Sequence, residues 1–328
     1  MDVSEVIAGV LRGEPRAVAR AISLVESGAP ELAQLSAGVF PHTGNAWSIG
    51  LTGSPGVGKS SLAAGLVRAA RSREERIAVL AVDPSSPFSG GALLGDRVRM
   101  QEHATDPGVF IRSMATRGHL GGMALAAPEA IRILDASGAE QIVVETVGVG
   151  QAELEVATAT DTTVVVVQPG WGDAVQVAKA GILEIANVFV VNKAELEGAN
   201  QAVRELESML RLGGRPPWTP PVVKVSTRTG EGLDELSEAI LAHRSHIHAT
   251  GALARSRALR LRREVEGIAA ELLRRGAGRV LDDDPALAEQ LEARTIDPYA
   301  AAARVISGAA ARAGTFEAEG PGATSPDA

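Results

Sequence analysis

A glycine-rich stretch, Gly53-Ser-Pro-Gly-Val-Gly58-Lys59-Ser60, stands between an apolar run, Ser48–Thr52, and a helical pattern that begins at Ser60. It matches the spacing G-x-x-x-x-G-K-[S/T]. Glycines at these points let the backbone turn tightly, so successive N–H groups converge on phosphate oxygens. The helix that follows aims its positive N-terminus at the same anion. In this arrangement Lys59 reaches the β/γ-phosphates of a nucleotide, and the Ser60 hydroxyl ligates Mg²⁺. Gly53, Ser54, Pro55, Gly56, Val57, Gly58, Lys59, Ser60 and Ser61 are the candidate phosphate-binding set. A strand before the loop and a helix after it commit this part of the chain to a β–loop–α unit.

The same alternation continues from Trp47 onward. Candidate strands are Ser48–Thr52, Ile77–Val82, Val109–Arg112, Gln141–Glu145, Thr163–Val167, Val188–Val191 and Val222–Val225. Val164–Val167 is an unbroken run of valines, as expected of a strand buried on both faces. Helical stretches lie between, such as Ser60–Ser72 and Ala174–Ile185. The pattern predicts an α/β fold, a doubly wound and mostly parallel sheet. The expected division is a helical N-terminal extension (1–46), a nucleotide-binding domain (47–245), a helical C-terminal arm (246–307) and a disordered tail (308–328). The extension rests on Val3, Val6, Ile7, Val10 and Leu11, then Val18, Ala21, Ile22 and Val25, at one-face helical spacing. The arm carries Leu261, Val265, Ile268 and Leu272 on one face, with seven arginines over residues 251–275 that read as a solvated face. A short helix is expected over Pro298–Ile306. The tail is rich in Gly, Ala, Pro and Ser.

In open α/β sheets, ligand groups sit at the carboxyl ends of strands. Three strand ends carry suitable side chains. Glu145 closes one, in Ile142-Val-Val-Glu145-Thr-Val-Gly148, where a carboxylate serves Mg²⁺ and Gly148 N–H meets the γ-phosphate. Asp83 closes another and is a candidate for Mg²⁺ or for positioning water. Asn192-Lys193-Ala-Glu195 closes a third and resembles the N-K-x-D motif that reads guanine. Its carboxylate accepts from guanine N1 and N2, a donor pair that adenine lacks. The loop at Ser226 and Thr227 then backs the base. Glu195 stands where Asp is usual, so one extra methylene must be accommodated.

Composition removes other classes. The chain has 328 residues, a net charge of −8 and no cysteine. Disulfides, thiolate metal sites and cysteine nucleophiles are excluded, and the acidic balance argues against a nucleic-acid binder. No signal peptide and no uninterrupted apolar run of membrane-spanning length is present, so no membrane partner and a cytoplasmic location are expected. His243, His246 and His248 are the one local histidine cluster, and they read as a surface helix terminus rather than a metal site.

Four stretches go beyond a generic phosphate loop: Val82-Asp-Pro-Ser-Ser86, Leu94-Gly-Asp96-Arg-Val-Arg-Met100, Gly118-His-Leu-Gly-Gly122 and Glu145-Thr-Val-Gly-Val-Gly-Gln151. With these, residues 5–306 resemble the MeaB/MMAA/ArgK group of P-loop GTPases of the SIMIBI class. The resemblance implies hydrolysis of GTP to GDP with Mg²⁺, a homodimer formed through the C-terminal arm, and service to an adenosylcobalamin-dependent acyl-CoA mutase. It implies that Asp83, Asp96 and Glu145 surround Mg²⁺ and the attacking water, beside Lys59 and Ser60. It implies switches at Gly118–Gly122, at Gly148–Gln151 and at Gly170–Lys179. This chain departs from the pattern at Glu195, Trp171 and Ala180. Two other readings stay open: a metallochaperone GTPase, which needs a metal-binding cluster, and a kinase for a small substrate.

Overall fold

The computed structural model describes residues 2–84, 105–116, 123–146, 158–170, 184–212 and 217–313. By packing, the chain divides into two compact units, Met1–Leu261 and Arg262–Ala328.

Seven strands of the first unit form one sheet. They are β1 (Trp47–Thr52), β2 (Ile77–Pro84), β3 (Val109–Thr116), β4 (Gln141–Thr146), β5 (Thr162–Val167), β6 (Val188–Val191) and β7 (Val222–Lys224). Their spatial order is β3-β2-β4-β1-β5-β6-β7, and every neighbouring pair is parallel. All seven expected strands are present, and the sheet is the one the apolar runs predict. The helices are α1 (Val3–Leu11), α2 (Pro15–Ser27), α3 (Leu32–Val39), α4 (Lys59–Arg71), α5 (Met123–Ala136), α6 (Ala199–Leu212), α7 (Leu233–Ala249), α8 (Ala252–Asp283), α9 (Pro285–Glu292) and α10 (Pro298–Ala313).

Strand side chains alternate between two buried faces. Ala78, Leu80, Val82, Ile142 and Val144 join the core built with α1, α2, α3 and α5. Val79, Val143, Val164 and Val166 point the other way, into the core built with α4 and α7. Val165, Val167, Phe189 and Val191 meet α6. Every residue of β1, β4, β5 and β6 is buried, which is why these strands read as continuous apolar runs. Fully burying one valine contributes about 1.5–3 kcal/mol before entropy is counted, so these strands anchor the sheet. The Pro15 start and Gly28 stop of α2 follow the usual asymmetry: Pro15 opens the first turn, and Gly28 takes φ 61° at the C-cap.

Two arginines of the arm turn toward a buried carboxylate and are only partly exposed. The Asp161 carboxylate, 2% exposed, accepts from Arg257 Nη2 at 2.7 Å and also pairs with Arg260. It accepts Ser48 N–H at 3.2 Å as well. Arg257 donates onward to Gly44 O at 2.6 Å and Ala46 O at 2.8 Å, and Arg260 to Thr160 O at 2.8 Å. Burial alone would raise the Asp161 carboxyl's pKa, but the two guanidiniums and Ser48 N–H hold it below the ordinary carboxylate range. The other end of the same linker is strung from Asp135, which accepts Gly44 N–H at 2.6 Å and Ala46 N–H at 2.9 Å.

His243 departs from the expected surface terminus. It is 3% exposed, shares a 2.9 Å hydrogen bond with Thr162 Oγ1, and lies edge-on to Trp218 with ring centroids 5.1 Å apart. Trp47 Nε1 donates to the same Thr162 hydroxyl at 3.2 Å.

The second unit has its own small core of Val280, Leu287, Ala301, Val305 and Ala309. The tail expected to be unstructured from Gly308 is instead helical to Ala313. Ala309 is buried there, and a Cβ on Gly276 would come within 2.9 Å of the Ala309 Cβ. Small residues therefore let the helices touch, which composition alone reads as disorder. Residues 314–328 lie outside the described residues. Among the described residues no helix is long and apolar enough to cross a membrane.

Replacing both Arg257 and Arg260 with alanine strands a buried carboxylate, and the expected cost is about 3–5 kcal/mol in chemical denaturation. A loss under about 1 kcal/mol would contradict the clamp. Desolvation, aided by the nearby charge of His246, lowers the His243 pKa from 6.5 to about 4. The unfolded chain therefore takes up a proton first, and this contribution, fully present above pH 6.5, is lost as pH falls toward 4. His243→Gln should flatten stability across that window, and an unchanged slope would remove the histidine as its source.

Candidate functional site

The carboxyl ends of the parallel strands bring the candidate residues to one edge. The loop of residues 53–58 joins β1 to α4, whose first three residues are Lys59, Ser60 and Ser61. Two of its glycines are demanded by contact as well as by conformation. Gly53 has φ +138°, and a Cβ there would sit 2.2 Å from Val166 O. Gly58 has φ +96°, and a Cβ would sit 2.3 Å from Asn192 Nδ2. Lys59 is 5% exposed, and its ammonium donates to Gly53 O and, at 3.1 Å, to Ser54 O. The cation thus lies against the loop it belongs to.

Glu145 is paired in register with Leu51 on the neighbouring strand. That places its carboxylate beside the start of α4, and Ser60 Oγ donates to Glu145 Oε1 at 2.5 Å. A hydroxyl and a carboxylate side by side are hard oxygen donors, the set that suits Mg²⁺. Asp83 is the penultimate residue of β2, with its backbone paired in register with Ala115. Asp96, Gly118–Gly122, Gly148–Gln151 and Trp171–Lys179 lie outside the described residues, as does most of the expected helix over Ala174–Ile185.

Asn192 is the joint of the site. It is fully buried, its N–H is fixed by Val167 O at 2.8 Å, and its side chain faces two loops. Nδ2 donates to Val57 O at 2.7 Å, in the phosphate loop, and Oδ1 accepts Thr227 N–H at 3.3 Å. Lys193, in the left-handed region at φ 58°, donates to Gly56 O at 2.9 Å and to Gln168 Oε1 at 2.5 Å. Glu195 lies at the rim. The Ser226 hydroxyl foremost, and also the Arg228 guanidinium, hold its carboxyl below the ordinary range. Ser226 itself is fully buried and accepts Thr229 N–H at 3.3 Å.

Two contacting residues escaped the sequence reading. Gln168 directly follows the valine run of β5, and that strand-end position was its only signal. Arg228 sits in the loop already marked by Ser226 and Thr227, yet nothing in spacing announces its ion pair with Glu195. Among the described residues no group of three or more His, Cys, Asp or Glu side chains is placed to hold a metal ion.

The loop geometry separates two glycines. Gly58→Ala meets both left-handed strain and the Asn192 amide, and is expected to destabilise by about 2–4 kcal/mol. Gly56, at φ +76°, has nothing within 4 Å of a Cβ, so Gly56→Ala should cost about 1–2 kcal/mol from strain alone. Equal losses in thermal unfolding would disprove the contact argument.

Residues 18–278 match a family described as Methylmalonyl Co-A mutase-associated GTPase MeaB. A GTPase-named protein of Pyrococcus horikoshii is 45% identical over 308 residues, 93% of this chain and 97% of its own length. The mouse protein named Methylmalonic aciduria type A homolog, mitochondrial, is 35% identical over 277 residues, 78% of this chain and 66% of its own length. A crystal structure titled LAO/AO transport system kinase superposes with a TM-score of 0.66 at 27% identity, covering 92% of this chain and 96% of that one. The family match spans most of the chain, including the phosphate loop, the Asn192 joint and the arginine clamp, and the protein belongs to the MeaB family.

Proposed function

We propose that this protein hydrolyses GTP and uses the cycle to gate and protect an adenosylcobalamin-dependent acyl-CoA mutase. The observation that carries the nucleotide reading is Asn192, one buried amide bonded to both the phosphate loop and the base loop. The family's description supports the mutase as partner.

In this reading the backbone N–H groups around Gly56–Ser60 cradle the phosphates, and the N-terminus of α4 faces them. Lys59 moves its ammonium from the loop carbonyls to β/γ-phosphate oxygens. Ser60 and Glu145 would hold Mg²⁺, with Asp83 and Asp96 as further candidates. When bound, Mg²⁺ neutralises charge developing on the phosphate oxygens. Water oxygen bonds to the γ-phosphorus while the bridging P–O bond breaks, and GDP leaves with that electron pair. The protein's part is positioning and electrostatic stabilisation. Glu195 accepts the guanine N1 and N2 protons, while Lys193 and Thr227 border the base.

A second copy of the chain is the proposed partner for the arm. On α8, Val265, Ile268 and Leu272 follow one another at helical spacing and are 65%, 42% and 58% exposed. Such a stripe suits an isologous helix pairing.

Lys59→Ala should reduce phosphate release from GTP by at least about 100-fold, since the loop lysine bears on the transferred phosphoryl group. The decisive assay compares GTP with ATP, follows phosphate to water against transfer to an acceptor, and identifies what copurifies from native lysate. Preference for ATP, or transfer to a small acceptor, would refute the hydrolysis reading. Absence of any cobalamin enzyme among the copurifying proteins would refute the chaperone reading.

A further inference from the structure

Glu195 poses a problem that the rest of the base site does not. A glutamate has one more rotatable bond than an aspartate, so its carboxylate sweeps a wider arc from the same backbone position. The backbone beneath it is tightly fixed. Lys193 takes a left-handed turn, Ala194 N–H is bonded to Val225 O at 3.0 Å, and Leu196 N–H to Lys193 O at 2.9 Å. What remains to be set is the side chain.

The facing loop is equally well fixed. Ser226 N–H bonds to Glu231 O at 2.9 Å, Gly230 N–H to Ser226 O at 2.8 Å, and Thr229 N–H to Ser226 O at 3.2 Å. Arg228 stands within this closed turn. From there its Nε donates to Glu195 Oε1 at 3.2 Å. The arginine side chain is 70% exposed and the glutamate 23%, so the pair lies on the rim of the site rather than in its core. An exposed ion pair contributes little to stability. Its geometric effect is another matter, because a planar guanidinium constrains where a carboxylate points.

We propose that Arg228 is a specificity-determining positioning residue, which holds the longer carboxylate of Glu195 where it can accept from both guanine N1 and the guanine exocyclic amine. This rests on the GTPase reading above. It assigns to the loop after β7 a task beyond bordering the base. The Ser226 hydroxyl also holds the Glu195 carboxylate, and in the proposal Arg228 is the second partner, which aims the longer side chain toward the base. A shorter acid would not reach the arginine and would not need it.

The test is nucleotide affinity in the full-length protein with Mg²⁺ present, using GDP, IDP and ADP. IDP lacks the exocyclic amine, so the GDP:IDP ratio reports how well the carboxylate is aimed. The native protein should favour GDP over both. Arg228→Ala should weaken GDP about tenfold and IDP less, so the ratio falls, as expected for an ill-aimed charge-assisted hydrogen bond. Arg228→Lys should restore part of the ratio. Glu195→Asp should lessen the dependence on Arg228, so the double variant Glu195→Asp/Arg228→Ala should bind GDP more tightly than Arg228→Ala alone. Equal weakening of GDP and IDP by Arg228→Ala, or strict additivity in the double variant, would overturn the proposal and leave Arg228 a general support for the base. A native protein that binds ADP as well as GDP would instead overturn the GTPase reading itself.

Discussion

Parallel strands cannot be joined by a tight hairpin. Each return needs a crossover, and in this chain the crossovers lie on both faces of the sheet. Seven parallel strands therefore have their two faces covered and all their carboxyl ends at one edge. The candidate site hangs on that constraint. The phosphate loop follows β1, Glu145 is the penultimate residue of β4, Gln168 follows β5, Asn192 follows β6, and Ser226 and Arg228 follow β7. Residues separated by well over a hundred positions meet because their strands are neighbours, not because any motif brings them together.

The opposite edge has a different task. There Asp135 captures the backbone before β1 and Asp161 the Ser48 N–H within it, while Arg257 and Arg260 close over Asp161 from α8. Two guanidiniums on one carboxylate satisfy its lone pairs more completely than a single partner could. That is what makes so deeply buried a charge tolerable. The start of α8 is thereby fixed to the same unit as the sheet, while the rest of that helix belongs to the second unit.

How much of this was legible in the sequence depends on the range of the interaction. Strands buried on both faces declare themselves as apolar runs, so all seven were readable. The phosphate loop was readable because glycine, lysine and serine are required at fixed spacing by local geometry. Arg257 and Arg260 were not, because their partner is 96 to 99 positions away and a charge-rich helix ordinarily faces solvent. The burial of His243 is hidden for the same reason: it depends on Trp218 and Thr162, which its own helix does not announce. The helix beyond Gly308 was hidden by composition, since the small residues that suggest disorder are those that let helices come close. Arg228 could be seen only once two loops were set side by side.

Asn192 has a thermodynamic consequence for the ligand. Because one buried amide fixes the span between the two loops, the proposed base and phosphate sites would act as a single chelator rather than as two independent half-sites. A nucleoside alone or a pyrophosphate alone engages half of that frame, and the two halves together gain from an effective concentration set by a rigid link. Much of the entropy of bringing the loops together is lost when the protein folds, not when the nucleotide arrives. In the proposed cycle, release of the terminal phosphate would be felt at the other loop through a connection two hydrogen bonds long.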